Sequence, residues 1–228
     1  MRRFGVVVLL CCSLLSTTAD ARTSHGCHWR GERVVFRSPA GVVVKHAQPE
    51  RGQPRYEQRS ETHWWACLRG GRRTYLGRTT ARPAAGGEQG ETYGGFRFAG
   101  RFLAFHQQLL SNYGDEMEAI LEADLRIGRR AVLWAVAGEP LSIPHVIALR
   151  EFQAPIGPPL LAVDAQGEVA WVIRDEQGTR MVLAHNRLGT GVLASYPRAD
   201  AEPTITNLMI SNGQVSWVYN GTTVTAGG

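Results

Sequence analysis

The chain runs Val163-Asp164-Ala165-Gln166-Gly167-Glu168-Val169-Ala170-Trp171 in the stretch that decides its fold. The residues before Asp164 have the pattern of a strand, the glycine segment that of a tight turn, and the residues ending at Trp171 that of a second strand. Two further stretches have the same form, and they run from Phe98 to Phe105 and from Ile210 to Trp217. A phrase repeated in this way predicts several copies of one β unit.

A second recurring phrase sets the length of each unit. Leu68 to Leu76 is similar to Leu125 to Leu133, and more distantly to Asn186 to Leu193. In each, a strand ends in a polar turn whose glycine permits a positive φ, and the chain returns as another strand. About four strands thus recur in roughly 45 to 65 residues, which is the period of a β-propeller blade.

Four units follow from these phrases, and the last of them is about one strand short. The predicted strands are Arg33–Phe36, Val42–Val44, Trp64–Leu68 and Thr74–Leu76; Phe96–Phe98, Phe102–Phe105, Ile120–Leu125 and Ala131–Ala135; Leu160–Val163, Val169–Ile173, Met181–Ala184 and Val192–Leu193; and Thr204–Ile210, Val215–Tyr219 and Thr222–Thr225. The segment from Asp115 to Leu125 also fits a short amphipathic helix. We prefer a strand there because the neighbouring units place a strand directly before the same turn. If the units close into a ring, an early strand such as Arg33 to Phe36 must complete the last unit.

The first residues have the pattern of a secretory signal peptide. A basic start, an apolar run from Phe4 to Leu15 and the small residues Ala19 and Ala21 predict residues 1–21 as the signal and 22–228 as one β-repeat domain. Cys11 and Cys12 would leave with the signal. The expected location is therefore secreted or in the cell envelope.

Two of the four cysteines, Cys27 and Cys67, remain in the mature chain. In an oxidising compartment they are expected to form a disulfide bond. An alternative takes His25, Cys27 and His28 as metal ligands, but no fourth ligand has a recognisable spacing. We therefore predict a disulfide, no metal and no cofactor.

Positive charge is concentrated early in the chain, which carries a formal net charge of +5. Basic residues outnumber acidic ones between Arg22 and Arg101, and the balance turns acidic from Phe102 onward. A basic half could bind a polyanion such as an acidic polysaccharide or lipid headgroups. Alternatively, the arginines are scattered over solvated strand faces and bind no common partner. We favour the second interpretation. Nucleic acid is not expected as a partner, because the arginines do not alternate with stacking aromatics.

The aromatic residues divide into two groups. Phe105, Trp171 and Trp217 hold equivalent places in the repeat, which predicts packing between adjacent sheets. Trp64 and Trp65 are neighbours and must face opposite ways in a strand, so only one can be core. Four aromatic residues are candidates for a binding surface: Trp29, Tyr56, Trp64 and Trp65.

No catalytic set is recognisable. A nucleophile elbow and a His-Glu-x-x-His helix are both missing from the sequence. Four carboxylates from different repeats fit a glycosidase site only if the fold gathers them: Glu151, Asp164, Glu168 and Asp175. Asn220-Gly221-Thr222 matches a glycosylation acceptor, but Asn-Gly is also the favoured hairpin turn, and we interpret it as the turn.

From Cys27 to Thr225 the chain resembles short secreted bacterial proteins with β-propeller-like repeats, related to the TolB-like and WD-repeat propellers. The blade phrases ending at Trp171 and Trp217 carry this resemblance, although the Gly-His and Trp-Asp signatures of WD repeats are absent. The resemblance implies a small, about four-bladed, or incomplete propeller of antiparallel sheets and implies no activity.

The function class expected from these patterns is a secreted or envelope binding or scaffolding module. Its partner would be an envelope polysaccharide or another protein. An extracellular carbohydrate-active hydrolase or lyase is the alternative, and self-association of an incomplete propeller is a further one.

Overall fold

The structure, a computed structural model, describes residue 27 and residues 30–49, 60–84, 87–110, 117–136, 160–174, 179–197 and 204–227. All of the regular structure in these residues is β, in fifteen strands whose neighbours pair antiparallel. The prediction of an all-β chain of antiparallel sheets is confirmed. The predicted signal peptide and its cysteines lie outside the described residues.

The first eight strands form one sheet in sequence order. They are β1 Arg33–Arg37, β2 Gly41–Pro49, β3 Ser60–Leu68, β4 Arg73–Ala84, β5 Gly87–Ala99, β6 Phe102–Leu110, β7 Met117–Asp124 and β8 Arg129–Val136. β4 pairs with β5 only at their adjoining ends, from Ala81 opposite Gly90 to Ala84 opposite Gly87. The sheet therefore consists of two four-stranded halves joined by one hairpin, which we call the first half (β1–β4) and the second half (β5–β8).

Two smaller sheets follow. The second sheet has the order β12-β11-β10-β9 and the third has the order β13-β14-β15. Their strands are β9 Leu161–Val163, β10 Val169–Arg174, β11 Arg180–Asn186, β12 Gly189–Tyr196, β13 Ile205–Ser211, β14 Gln214–Tyr219 and β15 Thr222–Gly227. The third sheet has three strands, as the incomplete fourth unit predicted.

The repeated phrase forms the first hairpin of the last three units. It spans the turns between β5 and β6, between β9 and β10, and between β13 and β14. In the last of these turns both Asn212 and Gly213 have positive φ, 52° and 72°, as a tight two-residue turn of this hand requires. Asn220 and Gly221 have the same conformation between β14 and β15, with φ of 46° and 83°. The Asn-Gly pair is therefore a hairpin turn, as predicted.

Apolar residues of alternate strand faces fill three successive cores. The first core lies between the two halves of the large sheet, because the ring of Phe36 in β1 contacts those of Phe96 and Phe98 in β5, each at 6.0 Å. The second core joins the opposite face of the second half to the second sheet. The third core joins the far face of the second sheet to the third sheet. The described strands thus form four stacked layers.

Each layer after the first buries one of the repeated aromatic rings against the layer before it. Phe105 lies in the first core, Trp171 in the second and Trp217 in the third, and all three side chains are fully buried. The prediction that equivalent rings pack between adjacent sheets is confirmed.

Two features of the early strands complete this description. The first two units are continuous with each other through the β4–β5 hairpin. β1 pairs with β2 at the edge of the large sheet and is not part of the third sheet, so it does not complete the last unit among the described strands.

The segment before the Leu125 turn is a strand, and the helix alternative is wrong for residues 117–124. Both faces of β7 are buried, because Ala119 and Leu121 lie in the first core while Ile120 lies in the second. A strand between two packed layers places alternate residues into both, and an isolated amphipathic helix does not.

Candidate binding surface

The outer face of the first half, the face turned away from the first core, carries an aromatic and charged surface. Alternation in β3 buries Trp64 and Ala66 in the first core and directs His63, Trp65 and Cys67 to the opposite side. Trp64 is fixed inside by a hydrogen bond that its indole N–H donates to the hydroxyl of Thr79, at 2.8 Å.

Strand register aligns the outer residues in rows across β2, β3 and β4. Val44, Trp65 and Tyr75 form one row of directly opposed residues, and His46, His63 and Arg78 form the next. The β3–β4 register shifts between Trp64 and Trp65, where Leu76 is the extra residue on β4. This bulge brings Tyr75 opposite Trp65 while keeping Leu76 in the core.

Three rings on this face contact one another, and we call them the ring cluster: His63, Trp65 and Tyr75. The ring centroids of His63 and Trp65 are 5.7 Å apart and nearly parallel, at 23°. Those of Trp65 and Tyr75 are 5.7 Å apart, and those of His63 and Tyr75 are 6.0 Å apart. The Tyr75 hydroxyl also lies 3.1 Å from Nδ1 of His63. Tyr75 is 50% exposed, so the cluster presents an aromatic ring to solvent.

Charged side chains brace the cluster at both ends. The guanidinium carbon of Arg73 lies 3.7 Å from the centre of the Trp65 ring, a cation–π contact, and Arg73 also forms an ion pair with Glu32. At the other end, Glu61 accepts from Arg78 at 2.5 Å and lies 3.2 Å from Nε2 of His63. These contacts hold the side chains of the ring cluster in one arrangement.

Residue 27 and residues 30–32 contribute contacts to the same face. Cys27 is bonded to Cys67, which is forty residues later and whose Cα lies 5.9 Å away, so the predicted disulfide is present. Nδ1 of His46 lies 3.1 Å from the carbonyl oxygen of Gly31. Cys27 and Cys67 are both buried, and the surface that stays open is the part around Tyr75 and Arg78.

Burial shifts the pKa of a carboxyl close to this surface. Desolvation raises the pKa of Glu91 on β5 above its ordinary value, while the charge of Arg78 and a hydrogen bond with Gln107 oppose the rise. Arg78 therefore interacts with two carboxyl groups, those of Glu61 and Glu91.

The four aromatics predicted for a binding surface have different positions. Trp65 lies on the outer face, half-buried, whereas Trp64 is in the core. Trp29 and Tyr56 lie outside the described residues. Tyr75 and His63 were not predicted as site residues, although alternation outward from Trp65 is a signal that indicates His63.

The carboxylates considered for sugar hydrolysis are not gathered into one site by the residues the structure shows. Asp164 is buried and accepts backbone N–H groups of Gln166 and Glu168, each at 2.9 Å, so it stabilises its own turn. Glu168 ends that turn, half-buried. Glu151 and Asp175 lie outside the described residues.

A buried polar pair lies elsewhere, on the second-sheet side of the second half. Nε2 of His106 is 3.4 Å from Oε1 of Glu118, and both side chains are almost completely buried. Because both side chains are buried, this pair is not a candidate binding surface.

Metal and membrane features were also sought in the described part of the chain. It contains no group of three or more His, Cys, Asp or Glu residues placed to hold a metal ion. Cys27 is bonded to Cys67 and is therefore not a thiolate ligand, while His25 and His28 lie outside the described residues. No helix in those residues has the length and apolar character needed to cross a membrane.

Comparisons with known proteins were made at the level of families, curated sequences and solved structures. No family model matches the chain, and no match was found among the curated proteins or the solved structures. The resemblance to TolB-like and WD-repeat propellers therefore stays a prediction from the blade phrases.

Proposed function

We propose that this chain is an extracytoplasmic carbohydrate-binding module, and that the ring cluster is its binding surface. The observation that carries the proposal is the exposure of Tyr75 in a cluster whose other members are fixed by stacking and by ion pairs. A sugar has flat C–H faces and a rim of hydroxyl groups. An exposed ring with charged and hydroxyl groups beside it complements both features.

The buried aromatic residues differ from the ring cluster in position, and this difference supports the ring cluster as the binding surface. Phe105, Trp171 and Trp217 fill the cores between the layers and are needed for packing. Tyr75 and Trp65 belong to none of these three cores, because the face that carries them is turned away from the first core. Exposed aromatic residues held in one geometry are a common feature of binding surfaces, since little side-chain entropy remains to be lost.

The scaffold that supports the surface is, in this proposal, an open propeller-like stack. Three of its layers begin with the same hairpin, and each layer turns its repeated ring toward the layer before it. The first strands of successive layers also approach one another, because β9 contacts both β5 and β13. This arrangement would place the first half at one end of the stack and leave the part of its outer face around Tyr75 and Arg78 free for a ligand.

The location outside the cytoplasm rests on the disulfide and on the signal-peptide pattern of the first residues. A bond between Cys27 and Cys67 persists in an oxidising compartment. A protein partner and self-association remain predictions of the sequence, as does a hydrolase or lyase activity.

Binding to an array of neutral and acidic polysaccharides tests the proposal. The wild type should bind at least one glycan class, and Tyr75→Ala should reduce that binding about tenfold, because loss of one stacking ring costs on the order of 1 kcal/mol or more. Met209→Ala is the matched control, since Met209 is 59% exposed on the third sheet. It should bind as the wild type does.

Two results would contradict the proposal. One is the absence of binding to every glycan by a folded wild-type protein with its disulfide intact. The other is equal loss of binding in Tyr75→Ala and Met209→Ala. Product analysis on each bound glycan separates a binding module from an enzyme, because a module leaves the chain length of the glycan unchanged.

A further inference from the structure

We propose that the ligand of this surface is an acidic polysaccharide of the polyuronate class, whose carboxylates are bound by arginines beside the ring cluster. This inference rests on the proposed function and adds the chemical class of the ligand. It depends on arginines that are scattered along the sequence and that the fold brings to one end of the first half.

Charge on the first half is strongly unbalanced. Among the described residues from Arg30 to Arg78 there are eight cations and two anions. Both anions are already paired with arginines, Glu32 with Arg73 and Glu61 with Arg78. Among the described residues, six further cations form no ion pair with a carboxylate of the first half: Arg30, Arg33, Arg37, Lys45, Arg69 and Arg72.

Several of these arginines lie next to the ring cluster. Arg37, Val42, Cys67 and Arg73 form the row of opposed residues that adjoins the row of Trp65 and Tyr75. Arg69 and Arg72 lie in the turn that joins β3 to β4, at the same end of those strands. We call the three exposed arginines Arg37, Arg69 and Arg72 the arginine rim. Residues two apart in a strand are separated by about 7 Å, and Arg72 comes three residues before Tyr75, so a ligand must be longer than one sugar unit to contact both the rim and the rings.

The shape of the surface favours a polymer. The row from Arg37 to Arg73 crosses four strands, which spans roughly 14 Å at a strand spacing of about 4.8 Å. A small acid would use one arginine, whereas a chain of uronate units could contact the rim and the rings together. Arginine suits carboxylates because its planar guanidinium offers two parallel N–H donors.

The exposure of the rim also fits this role. Arg37, Arg69 and Arg72 are exposed, so a ligand reaches them without moving the sheet. Exposed charge pairs are screened by salt, and binding through the rim must therefore weaken as ionic strength rises.

The test uses the full mature chain and a panel of polyuronates: polygalacturonate, alginate and hyaluronan. Each is compared with its carboxyl-methylated ester, which keeps the sugar backbone and removes the charge. At least one free acid should bind, and its ester should bind at least about tenfold more weakly. Raising NaCl from about 50 to about 500 mM should weaken binding of the free acid more than binding of the ester.

A double variant locates the interaction on the rim. Arg69→Gln with Arg72→Gln should lower affinity for the free acid about fivefold and leave affinity for the ester unchanged. The matched control is Arg126→Gln with Arg187→Gln, two exposed turn arginines on other layers. It should bind the free acid as the wild type does, and thermal melting confirms that both double variants are folded.

The outcomes separate this inference from the proposed function. If the free acid and its ester bind equally and Tyr75→Ala weakens the binding of both, the ligand is not specifically acidic. The proposal of a carbohydrate-binding module would then stand. Single-stranded DNA binding as tightly as the best polyuronate would also overturn the inference, because the rim would then recognise any polyanion. If the folded protein binds none of the polyuronates and none of the neutral glycans, both the acidic ligand and the carbohydrate-binding function are wrong.

Discussion

At the residue scale, burial decides which aromatic side chains hold the protein together and which face solvent. Trp217 is 1% exposed and its indole N–H donates to the hydroxyl of Tyr196, at 2.9 Å. The ring of Tyr196 stacks on that of Tyr219, with centroids 3.9 Å apart. Trp217 thus connects the last strand of the second sheet to the core of the third sheet.

Replacing Trp217 with alanine should lower the free energy of unfolding by about 3 to 5 kcal/mol, because the change leaves a large cavity in the third core. Denaturant titration followed by circular dichroism measures the loss. Met209→Ala, on the exposed face of the same sheet, should change the free energy by less than about 0.5 kcal/mol. Similar values for the two variants would show that the third core is not packed as described.

His185 gives stability a defined dependence on pH. Burial lowers the pKa of its imidazole below the ordinary value of 6.5, and Nδ1 lies 2.8 Å from the hydroxyl of Thr190. The folded protein therefore binds this proton less readily than the unfolded chain does. The contribution of His185 to the free energy of unfolding is full above pH 6.5 and falls as pH drops from about 6.5 through the lowered pKa.

The His185→Gln variant tests this effect. Between about pH 8 and about pH 5 the wild type should lose more stability than His185→Gln, since only the wild type has this titration. Unfolding curves at several pH values measure the difference. Parallel loss in the two proteins would mean that His185 titrates alike in the folded and unfolded states.

At the element scale, the disulfide ties residue 27 to β3. Cys27 and Cys67 enclose a loop that contains β1 and β2. On the chain-entropy account, closing a loop of this length stabilises the fold by about 4 kcal/mol. Reduction should therefore lower the melting temperature while leaving the third core intact.

Thermal unfolding with and without a reductant measures this contribution. The control is the same pair of measurements on a Cys27→Ser, Cys67→Ser double variant, which should melt near the reduced wild type and show no response to the reductant. An unchanged melting temperature on reduction of the wild type would mean that the bond adds nothing to the fold.

Strands and hairpins could be predicted because their signals are local. The turn at Asn212 and Gly213, and the apolar alternation from Val169 to Ile173, each lie within one short segment. The full lengths of β4 and β5 were not predicted, because Gly77-Arg78-Thr79-Thr80 has no apolar alternation. Their pairing at residues 81–90, which joins the first two units, depends on contacts that no single segment encodes.

At the whole-molecule scale, the candidate surface was only partly predictable for a similar reason. Neighbouring tryptophans showed that one ring faces outward, but not which one. The position of Tyr75 depends on the bulge opposite Trp64 and Trp65, and the arginine rim depends on β1 and the β3–β4 turn meeting at one end of the first half. The sequence therefore predicted the strands of the layers better than it predicted the ring cluster and the arginine rim on the first half.

The central claim is that the rings between layers are packing residues, while the ring cluster on the outer face binds the ligand. The chain has six tryptophans, and each indole N–H gives one signal in a nitrogen–proton NMR correlation spectrum. The signals can be assigned by Trp65→Phe, Trp171→Phe and Trp217→Phe.

Titration of the labelled protein with short oligomers of the best-binding polyuronate is the most direct test. We expect the Trp65 signal to shift with saturation, while the signals of Trp171 and Trp217, buried in the second and third cores, stay in place. A saturable shift of the Trp171 or Trp217 signal with none at Trp65 would contradict the account.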